Sequence, residues 1–86
     1  MPDMMRSEAY RLIDAERLRQ SIKWDGPHMW GEGDCSSFRV DMTVKAAVLA
    51  EECGEVAHAV LEADFENLRA ELVQVAAVAV AWLESM

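Results

Sequence analysis

The stretch Leu72-Val73-Gln74-Val75-Ala76-Ala77-Val78-Ala79-Val80-Ala81-Trp82-Leu83 decides the fold. Gln74 is its single strongly polar side chain, so a helix drawn through it is apolar all the way round. Such a helix is buried on most of its sides. The chain has 86 residues, room for two further helices, and two helices cannot surround a third. Each Val or Leu left in water forgoes about 1.5–3 kcal/mol of burial. The sequence therefore predicts an all-α fold: an antiparallel helical bundle completed by homo-oligomerisation. Leu72–Leu83 would lie in the core of a homodimer or homotetramer.

Working outward, this last helix starts at about Glu66, after a short break at Asp64–Asn67. A second helix, capped by Asp41 or Thr43, runs to about Ala63. A first helix, capped by Asp3 or Ser7, runs to about Ile22 and buries one side through Tyr10, Leu12, Ile13 and Leu18. Between them, Lys23–Arg39 holds Gly26-Pro27, Gly31, Gly33, Asp34 and Ser36-Ser37, all turn formers. It reads as a long loop of the functional or mobile kind. No period-two alternation persists, so no strand is expected. Gly54, inside the second helix, costs about 1 kcal/mol against Ala and suggests close approach by another backbone or a ligand. Residues 1–86 read as one domain.

The net charge is −8, from 16 acidic and 8 basic residues. That balance argues against a nucleic-acid polymer as partner, which needs a basic patch, and against an anionic membrane. It suits a carboxylate-rich metal site. The two cysteines, Cys35 and Cys53, form no C-x-x-C pair. Met1–Tyr10 lacks the apolar core of a signal peptide, and no apolar run reaches the roughly 18 residues of a membrane span. A cytoplasmic location is the expectation.

The acidic residues stand where a bundle would bury them. On a wheel of the second helix with Lys45 at zero, Glu52 falls near 340° and Glu55 near 280°, among Val48, Val56 and Ala59. Glu51 lies at the edge of that face. On the third helix Glu71 is flanked by Val75, Val78 and Trp82, and Gln74 follows it by one turn. If the two helices pack antiparallel, Glu52 and Glu55 face Glu71 and Gln74. Two carboxylates about 4 Å apart repel by roughly 4 kcal/mol at an effective dielectric near 20. Either they take up protons or a cation sits among them. Oxygen ligands without His or Cys favour a hard ion, Mg2+ with Mn2+ as the alternative. A solvated helix face is the ordinary reading of a lone E-E-x-x-E. The valines around these acids argue against it here.

Glu51-Glu52-Cys53-Gly54-Glu55, followed by Glu71-Leu72-Val73-Gln74, resembles the E-E-x-x-E…E-x-x-D pattern of the MazG-like nucleoside triphosphate pyrophosphohydrolases. Leu49–Ala59 is similar to that family's metal helix. Leu68–Ala77 resembles small, phage-type members, as do Glu16-Arg17-Leu18-Arg19-Gln20 and Lys23-Trp24 upstream. The resemblance covers most of the chain outside Gly26–Arg39. It implies one all-α MazG-like domain and Mg2+-dependent hydrolysis of a nucleoside or deoxynucleoside triphosphate to the monophosphate and pyrophosphate. By position, Glu52, Glu55 and Glu71 are metal ligands. Glu51 is a further ligand or the general base. The family's last acid is Asp, and Gln74 stands in its place with a neutral amide oxygen. Family members also continue beyond the position of Met86, which implies a site closed by a neighbouring subunit.

Substrate contacts are expected from Lys23 and Lys45, which can neutralise phosphate, and from Trp24, or Trp30, which can stack on a base. Two other readings stand beside the hydrolase. One is a non-catalytic helical binding or assembly module with a degenerate metal site. The other is a dimeric dUTPase-like enzyme, which shares the E-x-x-E logic.

Overall fold

The computed structural model describes residues 3–86. Three helices dominate: α1 (Arg6–Lys23), α2 (Met42–Leu61) and α3 (Phe65–Glu84). Two two-residue strands, β1 (Pro27–His28) and β2 (Gly31–Glu32), stand between α1 and α2. α2 and α3 pack antiparallel, and α1 also packs on α3, while α1 and α2 are not packed on one another. A gap between α1 and α2 is thus built into the topology.

Capping chemistry sets the limits of α2 and α3. The Asp41 carboxylate accepts from the Thr43 amide at 2.9 Å and starts α2. The Asp64 carboxylate accepts from the Asn67 amide at 3.1 Å and starts α3. Between them the chain reverses at Ala63, whose φ of 53° lies in the left-handed region. The Ala63 amide donates to the Val60 carbonyl and the Asp64 amide to the Ala59 carbonyl. This is the paired closure that usually ends a helix with glycine. The start of α1 differs from expectation. Its cap is Met5, in an extended conformation with no side-chain hydrogen bond, and neither Asp3 nor Ser7 caps it.

The expected loop contains a small antiparallel hairpin, Pro27 opposite Glu32 and His28 opposite Gly31. Two-residue strands are too short for periodicity to reveal. Gly31 has φ 140°, and a β-carbon there would collide with the Arg39 carbonyl oxygen, so this ribbon requires glycine against the returning chain. Gly54 is a second correction. Nothing lies within 4 Å of the place its β-carbon would occupy, so no close approach explains it in the single chain.

The core is thin: Val40, Ala59, Ala77, Val78 and Ala81 are its buried hydrophobic residues. One chain does not enclose Leu72–Leu83, as expected for a helix that two others cannot surround. Phe65, Leu72 and Leu83 are each more than half exposed. They fall within about 20° of one another on the α3 wheel, on the side away from Ala77 and Ala81. α3 is apolar on both sides as expected, and one chain covers one of them. Among the described residues no helix is long and apolar enough to cross a membrane.

Candidate functional site

One turn of α2 gathers Glu51, Glu52 and Glu55. One carboxylate oxygen from each can be chosen so that all three lie within 4.8 Å of one another. Glu71 meets them from α3. It is 9% exposed, and its Oε2 has no hydrogen-bond partner; Glu52 Oε2 is also buried and without one. A buried carboxylate oxygen with no donor forfeits its hydration for nothing in return.

The proton affinities register that crowding. Burial raises the Glu71 pKa to about 7, helped by the hydrogen bond that its protonated form donates to Glu55 and by the charges of Glu55 and Glu52. Burial also raises Glu52, followed by the charges of Glu55, Glu51 and Glu16; the Lys23 ammonium opposes them. Inward-facing oxygens, no nitrogen or sulfur ligand within the cluster and a surplus of negative charge fit a hard divalent cation.

The acids open onto a cavity of about 740 Å³, within the range of small-molecule sites. Its walls are α1 and α2, and Gln74 and Val78 of α3 form part of its floor. The hairpin supplies His28, Trp30 and Gly33, and Asp34 and Cys35 follow it in the lining. α1 contributes Glu16, Arg19, Gln20 and Lys23, one face at spacings of three and four. Arg19 forms a two-pronged ion pair with Glu16, both arms at 2.8 Å.

At the α1 end, Trp24 stands edge-on to His28 and to Trp30, with ring centroids 5.3 and 6.4 Å away. Lys23 Nζ lies 5.4 Å from the Trp24 ring centroid. The His28 ring is occupied by the hairpin itself: the Trp30 amide donates to Nδ1 at 3.2 Å, and Nε2 donates to the Gly33 carbonyl at 2.7 Å.

Of the residues singled out in the sequence, Glu51, Glu52, Glu55, Gln74, Lys23 and Trp24 line this cavity, and Glu71 reaches the acids from behind. Lys45 is placed elsewhere. It is 3% exposed, is not part of the lining, and its Nζ donates to Ser85 Oγ at 2.8 Å. Cys53, between the acids in sequence, is exposed. His58 pairs with Glu62 on the surface at 3.1 Å. Two residues had been overlooked. Glu16 could have been found from its i, i+3 and i+7 spacing to Arg19 and Lys23. Asp34, 8% exposed, reads only as a turn former, and its pairing with Arg17 left no local signal.

A family model described as the MazG nucleotide pyrophosphohydrolase domain matches residues 42–85, just over half of the chain. That span is α2, the turn and α3, and it contains every acid of the cluster. No curated protein and no solved structure matches the chain significantly.

Proposed function

The chain belongs to the MazG nucleotide pyrophosphohydrolase family, and from that premise we propose that it hydrolyses nucleoside or deoxynucleoside triphosphates to the monophosphate and pyrophosphate. The observation that carries the reading is the pair of partnerless buried oxygens, Glu52 Oε2 and Glu71 Oε2, beside two further carboxylates at the mouth of a nucleotide-sized cavity.

Glu52, Glu55 and Glu71 would hold a divalent cation, Mg2+ with Mn2+ as the alternative, and Gln74 would offer a neutral amide oxygen. The chemistry supplied by such a cation would be to screen the phosphates and polarise the reacting phosphorus. Glu51, at the exposed edge of the cluster, takes the proton of the attacking water as general base. The water oxygen bonds to the α-phosphorus, the bond from that phosphorus to the bridging oxygen breaks, and pyrophosphate leaves with the electron pair. Lys23 meets phosphate charge from α1. Trp24, with Trp30 behind it, offers an apolar surface to the base. Lys45 has no part in this, because its ammonium is tied to Ser85.

A second copy of the chain covers Phe65, Leu72 and Leu83, giving a homodimer or a dimer of dimers; their exposure in a single chain supports this. The test of the activity is pyrophosphate release from a panel of triphosphates with Mg2+. Absence of turnover on all of them would leave the non-catalytic helical module, which predicts no metal binding either.

A further inference from the structure

We propose that Asp34 is a positioning residue: through Arg17 it clamps the hairpin against the helices, and so sets how tightly the cavity holds the nucleotide. The ligand in this statement rests on the hydrolase reading above; the clamp itself does not.

Asp34 follows the hairpin and is buried, with both carboxylate oxygens engaged. Oδ1 accepts from the Ser36 amide at 2.9 Å and from Ser36 Oγ at 2.5 Å. Oδ2 accepts from Arg17 Nη1 at 2.8 Å. The other edge of the same guanidinium meets Glu84, Nε to Oε2 at 2.7 Å and Nη2 to Oε1 at 3.2 Å. One planar cation therefore joins α1, the loop behind the hairpin and the last residue of α3, a geometry that lysine cannot reproduce.

Among the described residues, no other hydrogen bond ties residues 26–40 to any of the three helices. Within itself the hairpin is firmly connected, by His28 to Gly33, by the Gly33 amide to the Gly26 carbonyl at 3.0 Å, and by Gly31 against Arg39. It is built to move as a unit, with Asp34 as its charged fastening. Because α1 and α2 do not pack on one another, the position of this unit decides how His28 and Trp30 close the cavity. The hairpin and Asp34 lie outside the residues matched by the family, so membership assigns them no role.

The test is Asp34→Asn, which keeps the shape and the Ser36 bonds and weakens the one to Arg17. We expect KM for the triphosphate to rise about tenfold, as for losing one charge-assisted bond. kcat stays within about twofold, and Mg2+ affinity measured without nucleotide is unchanged. Arg17→Lys gives the same split. Amides of the hairpin, Gly31 and Gly33 among them, exchange faster with deuterium in both variants. A merely structural loss would lower the melting temperature and kcat without raising KM. An unchanged KM, or unchanged hairpin exchange, in a folded Asp34→Asn protein overturns the proposal. If Asp34→Asn does not fold, Glu84→Gln, which alters the half-exposed partner of Arg17, is held to the same expectations. If the wild-type protein turns over no triphosphate, the hydrolase reading fails, and hydrogen exchange alone still judges the clamp.

Discussion

Lys45 Nζ donates to Ser85 Oγ at 2.8 Å, joining the first turn of α2 to the residue that ends α3. Ser85 Oγ in turn donates to the Trp82 carbonyl at 2.6 Å. A buried ammonium at the negative end of the α3 dipole is a fold-stabilising element. Lys45→Ala should therefore cost about 1–3 kcal/mol in urea unfolding and leave KM for the triphosphate unchanged. A raised KM with unaltered stability would return Lys45 to the substrate.

The protonation of Glu71 gives a pH signature. Its folded pKa is raised, so the folded metal-free protein keeps a proton that the unfolded chain releases near 4.5. Stability from this group is complete below that value and is lost as pH rises through about 7. In chelator, the melting temperature should be higher at pH 5.5 than at pH 8, and Glu71→Gln should flatten the difference. Mg2+ should raise the melting temperature more at pH 8 than at pH 5.5, because it competes with the proton. Equal stabilisation at both pH values would place the cation elsewhere.

Ala63 occupies the left-handed position after α2. An L side chain there costs roughly 1–2 kcal/mol, and glycine recovers part of it against its own chain entropy. Ala63→Gly should stabilise the protein by about 0.5–1 kcal/mol in denaturant unfolding, the usual scale for backbone-compatible replacements. Destabilisation would mean that the turn is held by contacts of the Ala63 methyl group.

The exposed stripe of α3 predicts the assembly. Leu72→Glu or Leu83→Glu should convert the wild-type oligomer to monomer in sedimentation experiments, with a lowered melting temperature. A wild-type protein that is monomeric at tens of micromolar would remove the second copy from the account.

How much of this was legible in the sequence depended on the range of each interaction. α2 was readable because its start rests on a local cap, Asp41 to Thr43, and α3 because of its long apolar run, although its cap at Asp64 reads as part of a break. The approach of Glu51, Glu52 and Glu55 follows from helical spacing alone. The hairpin was not legible, since two-residue strands carry no period and rest on glycine geometry against Arg39. Nor was the Arg17–Asp34 pair, which joins residues from different elements. Lys45 misled because a lysine on a helix ordinarily reaches water, and here the end of α3 meets it first. The start of α1 misled because Asp3 and Ser7 are good caps in principle, yet the helix begins at Arg6, after Met5, with no side-chain cap.

The most direct test of the central claim is hydrolysis in 18O-labelled water with Mg2+, followed by mass spectrometry of both products. Attack at the α-phosphorus predicts one label in the nucleoside monophosphate and none in the pyrophosphate, with turnover lost in Glu55→Gln while the helical circular dichroism is kept. Label in the pyrophosphate, release of orthophosphate, or full activity in Glu55→Gln would contradict the account.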